Sequence, residues 1–310
     1  AHWAGEREVI KSERSESVDN DPHPRALELP RRLAFLTSAS GSPVIGWMHD
    51  LERMHIDELK HWYRSWYAPN NATLIIVGDI DTEQVKALAT RYFGPIASRK
   101  LPVIKAPLEL AAPGERTMTQ YIDHQIPNLS MTFNVPSLHT QTDPRSAPAL
   151  ELLSELLGGG DSSELKSRLW RGEELLISVG SHYSSISRGD ELFSIDATLN
   201  LKKMKPLSEV QERIWAVIDS VKKTPPSGSD LERARTRIIA RHVFSRDDLQ
   251  SLALYLGELD IAGLSPEDDE KRMQILAKIT PEDIQLAAQT FLTHDRLTLS
   301  YVLPKEARHE

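Results

Sequence analysis

The sequence predicts an α+β fold of two related layered α/β domains, each an antiparallel or mixed sheet packed by helices, with the first domain incomplete. The main observation is an internal repeat, in which the segment from Asp57 to Val77 reappears in degenerate form from Glu282 to Val302. Strands and helices also alternate irregularly and many helices are grouped late, which favours α+β layers over a doubly wound parallel sheet. A proline-rich segment between the two copies marks the boundary between the halves.

The repeat also indicates what the first domain lacks. Each copy runs from a helix with acidic residues in its first turn, through an Asn or Asp turn, into a β-rich run that ends at Val77 or Val302. A unit of about 225 residues does not fit before position 80, so we expect the first copy to lack roughly its first hundred residues. Strands of that incomplete sheet would be unpaired, and we expect such edges to promote association between molecules.

The proline-rich segment divides the chain into its predicted domains. Residues 101–114 contain three prolines and show no helical periodicity, which is typical of a linker. We therefore predict that residues 1–100 are the C-terminal part of the first domain. Residues 115–310 are predicted to be a second, non-catalytic homologous domain.

The first half is predicted to be mainly helical. Charged runs without internal Gly, apolar faces at helical spacing and acids in first turns indicate helices, and a β-branched run after an Asn-Asn turn indicates a strand. Pro30 lies within one helical stretch and is expected near its start or at a kink. The predicted helices are Gly5–Ser17, Arg25–Phe35, Ile56–Trp66 and Thr82–Tyr92, and the predicted strand is Ala72–Val77.

The second half is predicted to contain one sheet and most of the helices. Two strand-like runs follow the linker, two more follow a Gly-rich segment, and one lies near the end of the chain. A helix, Ala147–Leu157, precedes the glycines, and five more fit between Leu207 and Leu292. The predicted strands are Thr117–Ile122, Leu129–Val135, Ile177–Ser185, Leu192–Leu199 and Leu297–Val302.

Composition excludes several classes of function. The 310 residues are 40% hydrophobic and 26% charged, which is typical of a globular protein. A net charge of −8 argues against non-specific binding to nucleic acid or to an anionic membrane. The chain has no cysteine, so disulfides and thiolate metal sites are excluded, and no apolar run is long enough for a transmembrane segment.

Two glutamates on the first helix are the main candidates for chemistry. Glu6 and Glu13 are seven residues apart and share one helix face with Val9 and Ile10, whereas the basic residues of this helix lie on another face. On an inward stripe these carboxylates would need a cation, a hydrogen-bond network or a metal, because an unpaired buried charge is strongly destabilising. The alternative is a solvated helix end with surface salt bridges.

The repeat bears on this choice. The second copy of the helix is Leu231–Arg241, in which Ile239 is the counterpart of Glu13. A purely structural carboxylate is expected in both copies. The difference therefore favours a role for Glu13 that is special to the first half.

No other motif in the sequence indicates a catalytic site. The histidines form neither H-E-x-x-H nor H-x-x-E-H, and His49, His55 and His61 are six residues apart, so they do not converge on one helix face. The segment Gly158–Gly160 lacks the spacing of a phosphate-binding loop. We interpret it as a helix C-cap followed by an Asp/Ser N-cap.

Three segments carry a resemblance to a known family. They are Pro43 to Asp81, which includes Y-A-P-N-N-A and V-G-D, Glu6 to Arg14, which reads E-R-E-V-I-K-S-E-R, and Ser154 to Trp170, which includes L-G-G-G-D-S-S. Together they resemble the pitrilysin/insulinase family of zinc peptidases, the inverzincins. The third segment departs from the family pattern, since Glu164 stands where the family usually has Arg.

The resemblance implies a zinc-dependent endopeptidase subunit that hydrolyses peptides with zinc-activated water. In the family, one Zn²⁺ is held by both His of H-x-x-E-H and by a distal Glu, and the Glu of that motif is the general base. By resemblance, Glu13 is the metal ligand and Glu6 is its catalytic companion, which orients the site. Because these residues include no H-x-x-E-H, we expect this chain alone to be inactive and to bind zinc weakly at most.

The resemblance also implies a partner. Family members that are split into catalytic and non-catalytic subunits use an Arg and a Tyr, seven residues apart, to bind the peptide substrate, and the inactive subunit commonly supplies them. Those positions are Trp170 and Ile177 here, with Arg168, Arg171 and Tyr183 nearby but out of register. We therefore expect a homo- or heterodimer with a subunit that supplies the Arg/Tyr pair.

The alternative function is that of a non-catalytic structural or processing partner in the same family, which would carry a degenerate H-x-x-E-H. Bacterial members of the family are often exported to the periplasm. The absence of cysteine is compatible with that compartment and does not establish it.

Overall fold

Helices account for most of the regular structure in the computed structural model, which describes residues 2–105, 108–203 and 205–309. The helices are α1 (His2–Arg14), α2 (Pro22–Ala34), α3 (Met48–Arg53), α4 (Ile56–Trp66), α5 (Thr82–Phe93), α6 (Ser146–Ser154), α7 (Leu207–Lys223), α8 (Gly228–Phe244), α9 (Leu249–Ala262), α10 (Pro266–Leu276) and α11 (Pro281–Phe291). The five helices predicted late in the chain are confirmed as α7 to α11. Among these residues, no helix is both long and apolar enough to cross a bilayer.

The five strands of the second half form one mixed sheet, as predicted. They are β1 (Arg116–Ile122), β2 (Asn128–Val135), β3 (Leu176–His182), β4 (Glu191–Leu199) and β5 (Leu297–Pro304). Their order in the sheet is β1-β5-β2-β4-β3. The β1/β5 pair is parallel and the other pairs are antiparallel, so the last strand lies between the first two.

One face of the sheet forms the hydrophobic core. Leu129, Met131 and Phe133 alternate along β2 with at most 1% of their surface exposed, and they share one core with residues of α6, α7 and α11. Phe133 meets Trp215 of α7 edge to face, with ring centroids 5.6 Å apart. Burial of each such side chain contributes roughly 1.5–3 kcal/mol.

The opposite face of the sheet is polar, and helix α2 of the first half lies on it. Pro30 lies inside α2 rather than near its start, and because proline has no N–H the carbonyl of Ala26 loses its helical donor. Gln120 of β1 replaces that donor, with its Nε2 2.8 Å from the carbonyl oxygen of Ala26. Asn134 of β2 donates similarly to the carbonyl of Ala34 in the last turn, at 2.9 Å. The sheet thus satisfies two carbonyls that α2 leaves without a helical donor.

Gln120→Leu is expected to lower the free energy of unfolding by about 1–3 kcal/mol, because it leaves the Ala26 carbonyl without a donor. In a Pro30→Ala background the same change is expected to cost less, since the alanine at position 30 restores the backbone N–H. Urea denaturation of the four proteins in a double-mutant cycle measures this coupling. Effects that add within about 0.5 kcal/mol would contradict it.

The predicted linker is attached to the first half by Glu109. Its carboxylate accepts hydrogen bonds from the backbone N–H groups of Thr37 and Ser38, both at 3.0 Å, and of Leu110 at 2.8 Å. Burial acts to raise the pKa of Glu109, but these bonds to the charged form outweigh it and hold the pKa below its ordinary value. The linker contains no helix or strand at its described positions, and positions 106 and 107 lie outside them.

The predicted strand Ala72–Val77 is wrong. The segment pairs with no strand among the described residues, whereas its counterpart β5 lies between two strands. Strand structure requires neighbours for the backbone N–H and C=O groups, and this part of the chain has none in the described ranges. The helices on either side, α4 and α5, leave apolar side chains exposed, among them Trp62 (55%), Tyr92 (64%) and Phe93 (54%).

The glycine triplet at the end of the α6 region is explained by close packing. A Cβ atom on Gly158 would lie 2.2 Å from the backbone nitrogen of Ser181, and one on Gly159 would lie 2.5 Å from the carboxylate of Glu155. The helical segment continues through Gly159, beyond the predicted end at Leu157, and Gly160 follows it with an extended backbone (φ −94°) rather than a left-handed one. Glycine is therefore required at position 158 because a side chain would collide with β3, and not because the backbone adopts a conformation that only glycine allows.

Candidate functional site

Helix α1 packs through its basic face and not through the face that carries Glu6 and Glu13. Arg7 lies on the packed face, and its guanidinium donates to the backbone carbonyl of Glu52 at 3.3 Å. Glu6 and Glu13 are exposed, and Val9 between them is 60% exposed. The expectation that this stripe faces inward is therefore wrong, because arginines with carbonyl and carboxylate partners occupy the inner face instead.

Arg14 fixes the end of this helix. The residue is 4% exposed, and its guanidinium donates to both carboxylate oxygens of Glu28, at 2.6 and 2.8 Å. It also donates to Asp19 at 3.1 Å and to the carbonyl of Gly46 at 2.7 Å. The hydrogen bonds from Arg14 to Glu28 and Asp19 raise the pKa of Arg14 above its usual value despite burial. Glu13 therefore projects from a helix whose orientation is held by a bidentate ion pair.

The two candidate carboxylates have few partners in the part of the chain that the structure describes. Glu6 is 3.7 Å from Nδ1 of His2 and its side chain is 62% exposed. The carboxylate of Glu13 makes no hydrogen bond or ion pair with the described residues. No group of three or more His, Asp or Glu side chains in these ranges is arranged to hold a metal ion. A carboxylate such as Glu13 is a suitable zinc ligand, but a complete site requires further ligands.

Helix α8, which the predicted repeat pairs with α1, packs beside a buried charged cluster. Ile239, the counterpart of Glu13, is partly buried against the core. Close to it, the carboxylate of Glu155 is 3% exposed and lies 2.5 Å from both Arg237 Nε and Arg241 Nη2. The first half thus presents a carboxylate outward, whereas the second half holds one between two arginines.

A second buried ion network connects α6 with α10. Arg272 is 7% exposed and lies 2.6 Å from both Asp269 and Glu151. Burial acts to raise the pKa of Asp269, but a hydrogen bond from Tyr255 and the charge of Arg272 outweigh it, so the pKa lies below its usual value. This network, together with Glu155, was not predicted from the sequence.

The positions expected for an Arg/Tyr pair carry exposed apolar side chains. Trp170 is 40% and Ile177 is 43% exposed. The nearby Arg168 forms an ion pair at 2.8 Å with an acid one turn away, and the nearby Tyr183 is buried, with its hydroxyl donating to a backbone carbonyl at 2.6 Å. Both of these neighbours have other structural partners, so neither takes the place of the pair.

The family of the chain follows from a match over more than half of its length. A family model described as the peptidase M16 inactive domain matches residues 53–238. The chain belongs to the M16 peptidase family. This confirms the resemblance to the pitrilysin/insulinase peptidases, and the matched range joins the two halves that the sequence predicts.

Curated relatives of this M16 chain have zinc-protease names. The zinc protease PqqE of Helicobacter pylori is 25% identical over 309 residues, which cover 96% of this chain and 66% of that protein. The uncharacterized zinc protease SCO5738 of Streptomyces coelicolor is 24% identical over 292 residues, which cover 93% of this chain and 62% of that protein. The M16 chain thus spans less than two thirds of the length of these relatives.

Solved structures share the fold of the M16 chain. A protease from Helicobacter pylori matches with a TM-score of 0.87 at 22% identity, covering 97% of this chain and 72% of that one. The periplasmic protease PqqL from Escherichia coli matches with a TM-score of 0.78 at 18% identity, covering 98% of this chain and 34% of that one. At these identities the likeness shows the fold alone, and it confirms the predicted α+β class.

Proposed function

We propose that this chain is part of a zinc-dependent endopeptidase subunit in which Glu13 is a metal ligand and Glu6 is a catalytic companion carboxylate. Bound zinc would supply an activated water for attack on a peptide bond. The remaining ligands and the general base belong to an H-x-x-E-H segment outside these residues. The chain by itself is then inactive.

The exposed face of α1 is the observation that carries this proposal. The buried Arg14 and the partly buried Arg7 hold the helix from its other side, so the carboxylates of Glu6 and Glu13 are not needed for packing. A carboxylate that projects from a rigid helix is well suited to metal binding. The zinc-protease names of the relatives support the same role. So does the predicted repeat, in which the second copy has Ile239 where the first has Glu13.

Glu13→Gln in the full-length subunit is expected to reduce zinc affinity on the order of 100-fold or more, because loss of even an outer-sphere group costs about 10–100-fold. Peptide hydrolysis is expected to fall in parallel, whereas Glu6→Gln is expected to lower kcat with zinc retained. Metal analysis and cleavage of a quenched fluorescent peptide measure both effects.

Glu8→Gln is the matched control for the zinc experiment. Glu8 lies on the same helix, is 58% exposed and pairs with Lys11 at 3.0 Å, so its loss should leave zinc and activity unchanged. Full zinc content and full activity in Glu13→Gln would refute the assignment of Glu13.

A second candidate is a non-catalytic structural or processing partner of the same family. The match to a model described as an inactive domain, together with the absence of H-x-x-E-H from these residues, favours it. The two candidates differ in the wild-type subunit, since a non-catalytic partner carries a degenerate motif, binds no stoichiometric zinc and cleaves no peptide.

We further infer that the subunit handles peptides as a homo- or heterodimer in the periplasm. The exposed apolar Trp170 and Ile177, at the positions of the missing Arg/Tyr pair, support a partner that supplies it. The periplasmic compartment is supported by the PqqL relative, which is named a periplasmic protease.

A further inference from the structure

A crevice of about 410 Å³ lies between α2 and the polar face of the sheet. Leu27 and Pro30 of α2, together with Leu192 of β4, form its apolar wall. Hydroxyl groups of the sheet, among them those of Ser130 and Thr132, form its floor. The crevice is distinct from the exposed face of α1, because none of its lining residues belongs to that helix.

The two ends of the crevice are acidic. Glu191 stands at the start of β4, with 18% of its side chain exposed, and Asp196 lies five residues further along the same strand. At about 3.3 Å per residue, these positions are roughly 16 Å apart. The nearest cation to Glu191 is Arg31, at 3.7 Å, and the carboxylate of Asp196 accepts only the hydroxyl of Ser130 among the described residues, at 2.7 Å.

Burial of Glu191 is incompletely compensated. Its pKa is raised above the usual value, chiefly because burial disfavours the charged form, although Arg31 and His182 act in the opposite direction. A further cation near this carboxylate would therefore be stabilised.

Two buried hydroxyls next to the floor lack partners. Thr298 and Ser300 of β5 are each 1% exposed, and their hydroxyl oxygens find no hydrogen-bond partner among the described residues. In the antiparallel ladder they lie directly opposite Thr132 and Ser130, so all four side chains are on the same face. Buried polar groups without partners are uncommon in folded proteins, and these two lie beneath α2 beside the crevice rather than in its lining.

We propose that this crevice binds the cationic side chain of an arginine or lysine in a peptide. The assignment rests on the peptide-handling function proposed above and adds a preference for basic residues to it. An arginine or lysine side chain has an apolar stem and a charged head. The stem fits the wall formed by Leu27 and Pro30, and the head meets a carboxylate and hydroxyl acceptors.

A cation fits this crevice better than other ligand classes do. An anion would meet two carboxylates against the guanidinium of Arg31 and the imidazole of His182, and a purely apolar side chain would leave Asp196 without a cation. A guanidinium carries five donors and no acceptor, which suits a site that offers carboxylate and hydroxyl oxygens.

Direct binding of short peptides to the 310-residue chain tests the proposal without any requirement for zinc or cleavage. Isothermal titration compares acetyl-Ala-Arg-Ala-amide with the same peptide carrying citrulline, which has nearly the shape of arginine but no charge. The arginine peptide is expected to bind at least about tenfold more tightly at low salt, and the difference should shrink as salt screens the charges. Equal affinities of the two peptides for the unmodified chain would overturn the proposal.

The double variant Glu191→Gln with Asp196→Asn keeps the shapes of both side chains and removes their charges. The ratio of the two affinities is expected to fall close to one in this variant. Asp161→Asn is the matched control, because that carboxylate is 97% exposed and lies outside the crevice, and the ratio should stay unchanged. A ratio that survives in the double variant would place the binding elsewhere and refute the site. Failure of the zinc experiment with Glu13→Gln would leave this result unaffected.

Discussion

Arg272→Ala is expected to lower the free energy of unfolding by about 3–5 kcal/mol, because it removes the nearest cation of two buried carboxylates and leaves Asp269 only the longer contacts to Arg246 and His242. Asp269 is 1% exposed and the side chain of Glu151 is 11% exposed, and Arg272 contacts both at 2.6 Å. Urea denaturation followed by circular dichroism measures the change. Lys271→Ala is the control, since that side chain on the same helix is 69% exposed and its loss should change stability by no more than about 0.5 kcal/mol.

The same network predicts a dependence of stability on pH. The pKa of Asp269 is lower in the folded protein than its ordinary value of 3.8. Its contribution is therefore fully present above about pH 4 and is lost as the pH falls through the lower, folded-state pKa. Wild type is expected to exceed Asp269→Asn in stability at neutral pH, and the gap should narrow below pH 4. A gap that is constant down to acid unfolding, or an Arg272→Ala variant as stable as wild type, would contradict this account of the network.

Gly158→Ala is expected to destabilise the fold by about 3 kcal/mol, at the upper end of typical overpacking costs. The added Cβ would lie 2.2 Å from the backbone nitrogen of Ser181 and 2.6 Å from the backbone carbonyl carbon of Gly180, and backbone atoms of a hydrogen-bonded strand cannot move aside as a side-chain tip can. The π-helical segment at the end of α6 would have to move away from β3.

Gly180→Ala provides a matched control on the other side of this contact. A Cβ at that position meets nothing closer than the carbonyl oxygen of Gly158, at 3.9 Å, which is an ordinary contact. We expect its unfolding free energy to differ from wild type by no more than about 0.5 kcal/mol. Equal stabilities of the two variants would show that the close approach at Gly158 is relieved at little cost.

Much of the fold could be predicted from the spacing of apolar residues, because most of its helices and strands bury a single face. Helix α4 has the predicted bounds of Ile56–Trp66, and all five predicted strands of the second half form. Ala72–Val77 was wrong because strand propensity is a local property, whereas pairing requires neighbours that lie elsewhere in the chain. A repeat can identify the segment that has strand character, but not whether its neighbours are present.

The candidate site could be predicted only in part. The seven-residue spacing of Glu6 and Glu13 correctly places them on one face, but the sequence does not say which face packs. In the sequence, the basic side of α1 looks like a solvated face. It is the inner face because Arg14 binds the carboxylate of Glu28 and Arg7 binds the backbone carbonyl of Glu52. The two buried ion networks could have been suspected from Glu151 and Glu155, which lie one turn apart in a largely apolar segment. Buried carboxylates need cations, but the sequence does not show which distant arginines supply them.

The position of β5 has a consequence for the order in which the protein assembles. During synthesis α2 is complete long before β5, which ends at Pro304 and forms part of the surface on which α2 packs. Until that strand inserts between β1 and β2, the carbonyl of Ala26, which Pro30 leaves without a helical donor, must accept a hydrogen bond from water instead of Gln120. A chain that stops shortly before residue 297 therefore lacks an interior strand of its sheet, and β1 loses the strand that joins it to β2. Completion of the last strand is a late, long-range step on which both halves depend.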